Sequence, residues 1–135
     1  MKVVKAFSVS AVAPEDALRP SRTYWMDFGN CCIQGACDRL EALRQFIRKA
    51  LCTERFAFLI YDAQYGSEIR RVQTAEHQSP ALVASELELA VRDALIHDDR
   101  IEDVSDFSYS MTRDRLYLSF TVKSVFGALQ IEEVF

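Results

Sequence analysis

Apolar residues recur at helical spacing in two parts of the chain, and this pattern predicts two amphipathic helices. The first should begin at Asp38, a capping residue type followed three positions later by Glu41, as in a capping box, and should end near Cys52. The second should begin at Ser79 and Pro80, because serine favours the N-cap position and proline the first helical position. The apolar stripes of the two helices are Leu40, Leu43, Ile47, Ala50 and Leu51, and then Leu82, Val83, Leu87, Ala90, Val91, Ala94 and Leu95.

Alternating apolar and polar residues predict strands on both sides of the helices. Residues 22–28 alternate, and a turn at Gly29 leads to a short return strand at residues 33–35. Nearer the end of the chain, two alternating segments flank a turn at Arg113 and predict a hairpin, and a final strand begins at Leu129, after a break at Gly127. The apolar positions of this hairpin are Phe107, Tyr109, Met111, Leu116, Leu118, Phe120 and Val122.

A continuous apolar run at residues 57–61 has no clear period. The run is too short for a helix, so we interpret it as a strand that is covered on both faces. Residues 67–72 are predicted to form a short helix or a turn.

Together these elements predict an α+β fold, in which two main helices pack on a mostly antiparallel β-sheet with a C-terminal hairpin and a terminal edge strand. A chain of 135 residues is long enough for one domain with a hydrophobic core. We therefore divide it into an extended N-terminal arm at residues 1–20 and a single α+β domain at residues 21–135.

Composition narrows the classes of partner. The chain has 16 lysines and arginines against 20 acidic residues, a net charge of -4, which argues against nucleic acid as a partner. No apolar run approaches the roughly 20 residues that span a bilayer, so no membrane association is expected. The cysteines, at positions Cys31, Cys32, Cys37 and Cys52, form no C-x-x-C pair and have no histidine nearby in sequence. We expect reduced thiols, and neither a metal nor another cofactor.

Acidic residues stand at both helix ends, where the carbonyl groups already carry partial negative charge. The first helix is followed by Thr53, Glu54 and Arg55, and the second by Asp98, Asp99, Arg100 and Ile101. One interpretation is that each segment is a local ion pair in solvent, which contributes about 0–1 kcal/mol. The other is that the two ends converge, with the arginines pairing across to the opposite carboxylates and to free helix carbonyls. The sequence leaves both open.

The final strand ends the sequence, so we expect no later segment to cover it. If it lies at a sheet edge, its free N–H and C=O groups favour pairing with a strand from a partner. The commoner alternative is that the glutamates in this strand are charges that prevent such pairing. The candidate partner-binding residues are Leu129, Gln130, Ile131, Glu132, Glu133, Val134 and Phe135.

Five motifs in order resemble the sheath-initiator family of contractile phage tails and phage-tail-like particles, in its branch from Gram-positive bacteria. They are Leu51 to Phe56 in the pattern L-x-T-E-R-aromatic, Ile60-Tyr61, Tyr65-Gly66-x-Glu68, the segment from Ala94 to Ile101, and Phe120-Thr121-Val122 with Phe126-Gly127. The resemblance covers residues 20–135. The wider family has a Glu-Pro-Arg triplet after the second helix, where this chain has Asp98-Asp99-Arg100, so the local contacts of that triplet need not be shared.

The resemblance implies a structural role without enzymatic activity. Such proteins lie in the baseplate, link wedge proteins to the central tube or hub, and nucleate the sheath by accepting strands from its subunits. This implies a particle assembled in the bacterial cytoplasm, with six copies by tail symmetry. It also implies that the helix-end segments, together with Tyr65 and Gly66, either brace the domain or dock on wedge proteins.

An alternative function is degradation of peptidoglycan, since members of the wider family were once described as tail lysozymes. Glycoside hydrolysis requires two facing carboxyl groups, one with a raised pKa. Glu54 and Asp98 or Asp99 are the candidates, but a neighbouring arginine lowers a carboxyl pKa, which is unfavourable for a general acid.

Overall fold

The computed structural model describes residues 20–76 and 79–135. In chain order the elements are β1 (Thr23–Asp27), β2 (Cys32–Cys37), α1 (Arg39–Cys52), α2 (Ile69–Thr74), α3 (Pro80–Leu95), β3 (Ile101–Met111), β4 (Leu116–Ser124) and β5 (Gly127–Val134). The arm predicted for residues 1–20 lies outside the described residues except for Pro20, so its extended form stays a prediction.

The predicted α+β class is confirmed. β1 and β2 form an antiparallel hairpin, and β3, β4 and β5 form a separate antiparallel sheet in that order, which places β5 at an edge. The two long helices supply one side of the core and β4 supplies the centre of the other, through Leu116, Leu118, Phe120 and Val122, all buried. The alternation of β4 therefore reflects one covered face.

The helix boundaries follow from their capping residues. Ser79 accepts a hydrogen bond from the N–H of Leu82 and Pro80 is the first residue of α3, as predicted. Asp38 is the N-cap of α1, but its carboxylate accepts from the N–H of Arg39, whereas a capping box uses the residue three positions on.

Two apolar assignments were wrong. Residues 57–61 form no strand and lie in the exposed connection between α1 and α2. The core formed by the helices and the three-stranded sheet does not include this run. Leu82, assigned to the apolar stripe of α3, is also exposed, because it lies in the first turn of that helix.

A buried glutamine attaches the β1–β2 hairpin to α1. Gln45 accepts a hydrogen bond from the N–H of Met26 (2.8 Å) and donates one to the carbonyl of Tyr24 (2.8 Å). One residue of a parallel strand makes these same two bonds to residues i and i+2 of its neighbour. The side-chain amide thus satisfies the β1 edge where a neighbouring strand would otherwise lie.

We expect Gln45→Leu to lower the free energy of unfolding by about 1–3 kcal/mol, because it leaves a donor and an acceptor of β1 without partners. Chemical denaturation measures the change. Gln64→Leu, at an exposed position, is the matched control and should change stability by less than about 0.5 kcal/mol. Equal effects of the two substitutions would show that the amide does not hold the hairpin.

Candidate partner-binding surface

The register of β5 on β4 determines which backbone groups of β5 remain available. Phe135 and Leu116 exchange both backbone hydrogen bonds, at 2.8 and 2.9 Å. Bonded and non-bonded pairs alternate along an antiparallel ladder, so every second residue of β5 directs its N–H and C=O away from β4. The residues in this outward row are Ala128, Gln130, Glu132 and Val134, whose side chains are all exposed.

The predicted partner-binding residues thus divide into two sets. Leu129 and Ile131 are buried in the core, and Glu133 is half-buried on the same face. Their backbone groups, like those of Phe135, bond to β4. Sequence reasoning missed Ala128, because the strand begins at Gly127, earlier than the apolar alternation indicated.

The two edges of the three-stranded sheet differ in regularity. β5 pairs with β4 from Gly127 to Val134 without a register shift, whereas β3 has two shifts against β4. Asp106, within one of these irregular stretches, has a positive φ of 53°. The carbonyl of Val104 on β3 also accepts a hydrogen bond from Arg92 of α3 at 3.0 Å. Bulges and side-chain caps protect an edge from pairing, so β5 is the edge better suited to accept a strand.

A groove of about 500 Å³ lies beside β5. One wall is β5 itself, another is α1, and the third is the end of the β1–β2 hairpin. The lining residues are Trp25, Met26, Asp27, Phe28, Gly29, Glu41, Arg44, Gln45, Arg48, Ile131, Glu132 and Glu133. The groove is therefore mixed in character, with aromatic residues on the hairpin and charged residues on α1 and β5.

Arg48 connects the walls of this groove. Its Nε lies 3.7 Å from Glu133 Oε2, and its guanidinium lies 4.4 Å from the centre of the Phe28 ring. Burial raises the pKa of Glu133, while the positive charges of Arg48 and Arg44 act to lower it. None of these contacts was predicted, because Phe28, Arg48 and Glu133 are far apart in sequence.

A short parallel bridge between Glu54 and Ser67 joins the start and the end of the connection between α1 and α2. The N–H of Ser67 donates to the Thr53 carbonyl (2.8 Å), and the N–H of Arg55 donates to the Ser67 carbonyl (3.0 Å). Gly66 fits between them with a φ of 98°, where a Cβ atom would lie 2.9 Å from the Thr53 carbonyl oxygen. The bridge therefore depends on glycine at this position.

Arg55 reaches across to α3. One of its terminal nitrogens donates to the carbonyl of Asp93 at 3.0 Å, in the last turn of that helix. The sequence left open whether an arginine at the end of one helix bonds a free carbonyl of the other helix. Arg55 makes such a bond. The Tyr65 side chain is half-buried nearby, and burial raises its pKa.

The second arginine pairs locally instead. Arg100 binds Asp98 through two hydrogen bonds of 2.8 and 2.7 Å. The two side chains are only 15% and 13% exposed. The pair is therefore mostly buried, whereas one interpretation of the sequence had placed it in solvent. The Arg100 guanidinium also lies 5.2 Å from the centre of the Phe46 ring on α1. The ends of the two helices therefore do meet, though without exchange of carboxylates.

The remaining predicted residues of these segments have different environments. Asp99 is exposed, whereas Ile101 is buried and begins β3. Burial by itself raises the pKa of Asp98, but its hydrogen bonds to Arg100 and the positive charge outweigh burial and leave that pKa below its usual value of 3.8. A depressed pKa is unfavourable for a general acid.

Comparison with known proteins now bears on the family. A family model described as the contractile injection system sheath initiator matches residues 22–127. The chain is also 38% identical over 120 residues to the phage-like element PBSX protein XkdS of Bacillus subtilis (strain 168), in an alignment that covers 88% of this chain and 85% of that protein. The chain belongs to the sheath-initiator family.

Membership confirms the resemblance inferred from the ordered motifs, including the link to a Gram-positive phage element. The sheath initiator is a component of a contractile phage tail, and its family is a structural one. Within residues 20–76 and 79–135, no cluster of three or more His, Cys, Asp or Glu side chains is placed to hold a metal ion. In the same part of the chain, no helix has the length and apolar character needed to cross a bilayer.

We expect Gly66→Ala to lower the free energy of unfolding of the sheath initiator by more than about 2 kcal/mol, since it adds a steric overlap to an unfavourable φ. Gly35→Ala is the matched control, because Gly35 also has a positive φ (56°) but its Cβ would meet nothing within 4 Å. That control should cost only about 1 kcal/mol. Similar losses, measured by denaturation, would mean that the bridge tolerates a Cβ atom.

We expect Asp98→Asn to cost more than about 1 kcal/mol at pH 7, because the pair with Arg100 is mostly buried. The folded-state pKa of Asp98 lies below its usual value, so its contribution is present above pH 3.8 and is lost as the pH falls through the folded value. The difference between Asp98→Asn and the parent should therefore shrink in acid below about pH 4.

The control for this measurement is Glu88→Gln, which removes the exposed pair between Glu88 and Arg92 (3.0 Å, side chains 46% and 43% exposed). It should cost at most about 0.5 kcal/mol. A loss for Asp98→Asn that is no larger than for this control, or that persists unchanged at low pH, would contradict the account of the buried pair.

Proposed function

We propose that this sheath initiator is a baseplate component that nucleates the sheath by accepting a strand from a sheath subunit along the open edge of β5. The observation that carries the proposal is the uninterrupted outward row of backbone groups at Ala128, Gln130, Glu132 and Val134. A guest strand that pairs there gains main-chain hydrogen bonds without any rearrangement of the β3–β4–β5 sheet.

The contrast between the two sheet edges supports this assignment. The β3 edge is interrupted by its register shifts, and Arg92 occupies one of its carbonyls. Glu132 is a charge that limits unspecific pairing at β5, but a regular edge with one such charge remains able to pair with a complementary strand.

The groove supports a specific partner. A strand added to β5 would enter the space bordered by α1 and by the hairpin residues around Phe28. Its side chains on the inner face would meet Arg44 and Arg48, and those nearest the hairpin would meet Trp25. The favoured guest is therefore a strand with acidic or aromatic residues on one face.

The wider role of the protein is to link wedge proteins to the central tube or hub. We propose that a cluster of residues at the helix ends braces the domain in this role. The cluster consists of Thr53, Glu54, Arg55, Tyr65, Gly66, Asp98, Asp99, Arg100 and Ile101. Its bonds join α1, α3 and the start of β3. The proposal includes six copies in each tail, in the baseplate of a virion or tail-like particle assembled in the bacterial cytoplasm.

The peptidoglycan-degrading alternative has no observation in its favour. Asp98, one of its candidate acids, is held by Arg100 and has a lowered pKa. No second function is therefore proposed.

The sharpest test is Gln130→Pro. The N–H of residue 130 points away from β4, so proline removes a donor from the open edge without breaking the ladder within the domain. We expect particles that carry this variant to contain the sheath initiator but to lack sheath, as seen by electron microscopy. The isolated variant should unfold within about 3 °C of the parent.

Gln130→Thr is the matched control, since it changes the same side chain but keeps the N–H. It should support sheath assembly at the level of the parent. Normal sheath on Gln130→Pro particles, or loss of sheath with both variants, would show that the backbone edge of β5 is not the accepting site.

A further inference from the structure

Residues 56–61, here called the apolar loop, expose a continuous set of large apolar side chains. Leu59 is fully exposed, and Ile60 and Phe56 are 85% and 70% exposed. Phe58 and Tyr61 are about half exposed. Isolated exposed apolar residues are common, but five within six positions form a contiguous patch of the kind found at protein interfaces.

The loop is held on an ordered base. Tyr61 packs against Tyr65, with ring centres 4.6 Å apart, and Tyr65 packs against Phe46 of α1 at 6.3 Å. The Asp62 carboxylate accepts hydrogen bonds from the N–H groups of Gln64 and Tyr65, at 3.0 and 3.1 Å. An apolar surface that is already positioned loses little conformational entropy on binding.

The exposed side chains do not belong to the strand-accepting site. None of residues 56–61 is among the residues that line the groove beside β5. They also lie outside the core, which is complete without them. A protein that nucleates a sheath on a tail must hold other tail components as well, so a second surface is required.

The charges around the loop favour a protein over a membrane. Glu54 and Asp62, both exposed, stand just before and just after the apolar run, whereas Arg55 donates to the carbonyls of Gln64 and Asp93. The cavity lined by Arg70 and Arg71 includes Phe56 but neither Leu59 nor Ile60. Carboxylates at positions 54 and 62 are repelled by anionic lipid headgroups, whereas lysine or arginine at the rim of a protein pocket pairs with them.

We infer that the apolar loop docks the sheath initiator to another tail component, by inserting Leu59 and Ile60 into an apolar pocket with a basic rim on a protein other than the sheath subunit. The aromatic side chains at Phe58 and Tyr61 enclose this contact, as aromatic residues do at the centres of interfaces. This inference rests on the assembly role proposed above, but it concerns a separate surface.

The test is the double substitution Leu59→Ser with Ile60→Ser in the full chain, expressed in cells whose own copy of the gene is deleted. Both side chains are exposed, so the variant should unfold within about 3 °C of the parent. We expect its amount in purified tail particles, measured by quantitative mass spectrometry, to fall at least about tenfold. Leu89→Ser, at a position 57% exposed on α3, is the matched control and should leave that amount unchanged.

The comparison with Gln130→Pro separates the two surfaces. That variant should enter particles that then lack sheath, whereas the loop variant should be absent from particles. If Gln130→Pro particles carry normal sheath but the loop variant is still excluded, the strand-accepting role fails and the docking role stands. Normal incorporation of the loop variant would overturn the docking role.

Two further measurements address other occupants of the loop. The parent should be monomeric by light scattering, and it should not sediment with vesicles of phosphatidylglycerol and phosphatidylethanolamine. Self-association or vesicle binding that the double substitution abolishes would overturn the inference in favour of a second copy or a lipid surface.

Photo-crosslinking identifies the partner directly. A photo-crosslinking residue at position 59 should label a tail protein other than the sheath subunit in purified particles. Labelling of the sheath subunit alone, or no labelling, would also overturn the inference.

Discussion

The antiparallel pairing of β5 with β4 determines both the core and the open edge of this protein. In such a ladder, the residues that bond to the neighbouring strand share one face of the sheet, and the residues that point away share the other. Leu129 and Ile131 therefore bury their side chains and bond to β4, while Gln130 and Glu132 expose both side chain and backbone. A slip of one residue would expose the two apolar side chains, so the hydrophobic core itself holds the outward row in register.

The groove beside that edge depends on contacts between distant segments. Gln45 holds the β1–β2 hairpin at α1, and Arg48 contacts both Phe28 and Glu133. Since both residues lie on one side of α1, the helix fixes the distance between the hairpin and β5. The width of the groove is thus set by a rigid element, which favours selection of one guest strand over unspecific pairing.

Local signals in the sequence predicted the helices, the hairpin and the terminal edge strand. Ser79-Pro80 defined one helix start, and the alternation around Phe120 identified the central strand. The apolar run at residues 57–61 was misassigned, because apolar composition indicates burial only if a neighbouring layer exists to cover it. The partners of Arg55 and Arg100 were also beyond prediction: the choice between a local carboxylate and a distant carbonyl depends on how the helices pack.

The position of α1 connects the two proposed surfaces. Glu41, Arg44, Gln45 and Arg48 line the groove, and the helix ends at Cys52, directly before the connection that carries the apolar loop. The step of five positions from Arg48 to Thr53 corresponds to about 7.5 Å along the helix axis. The bridge beside Gly66 holds the start of the connection at the end of the helix. A partner that binds Leu59 therefore also fixes the direction in which β5 presents its free edge. Docking at the loop would therefore orient the accepting edge with respect to the tail, which is what a nucleus for an ordered sheath requires.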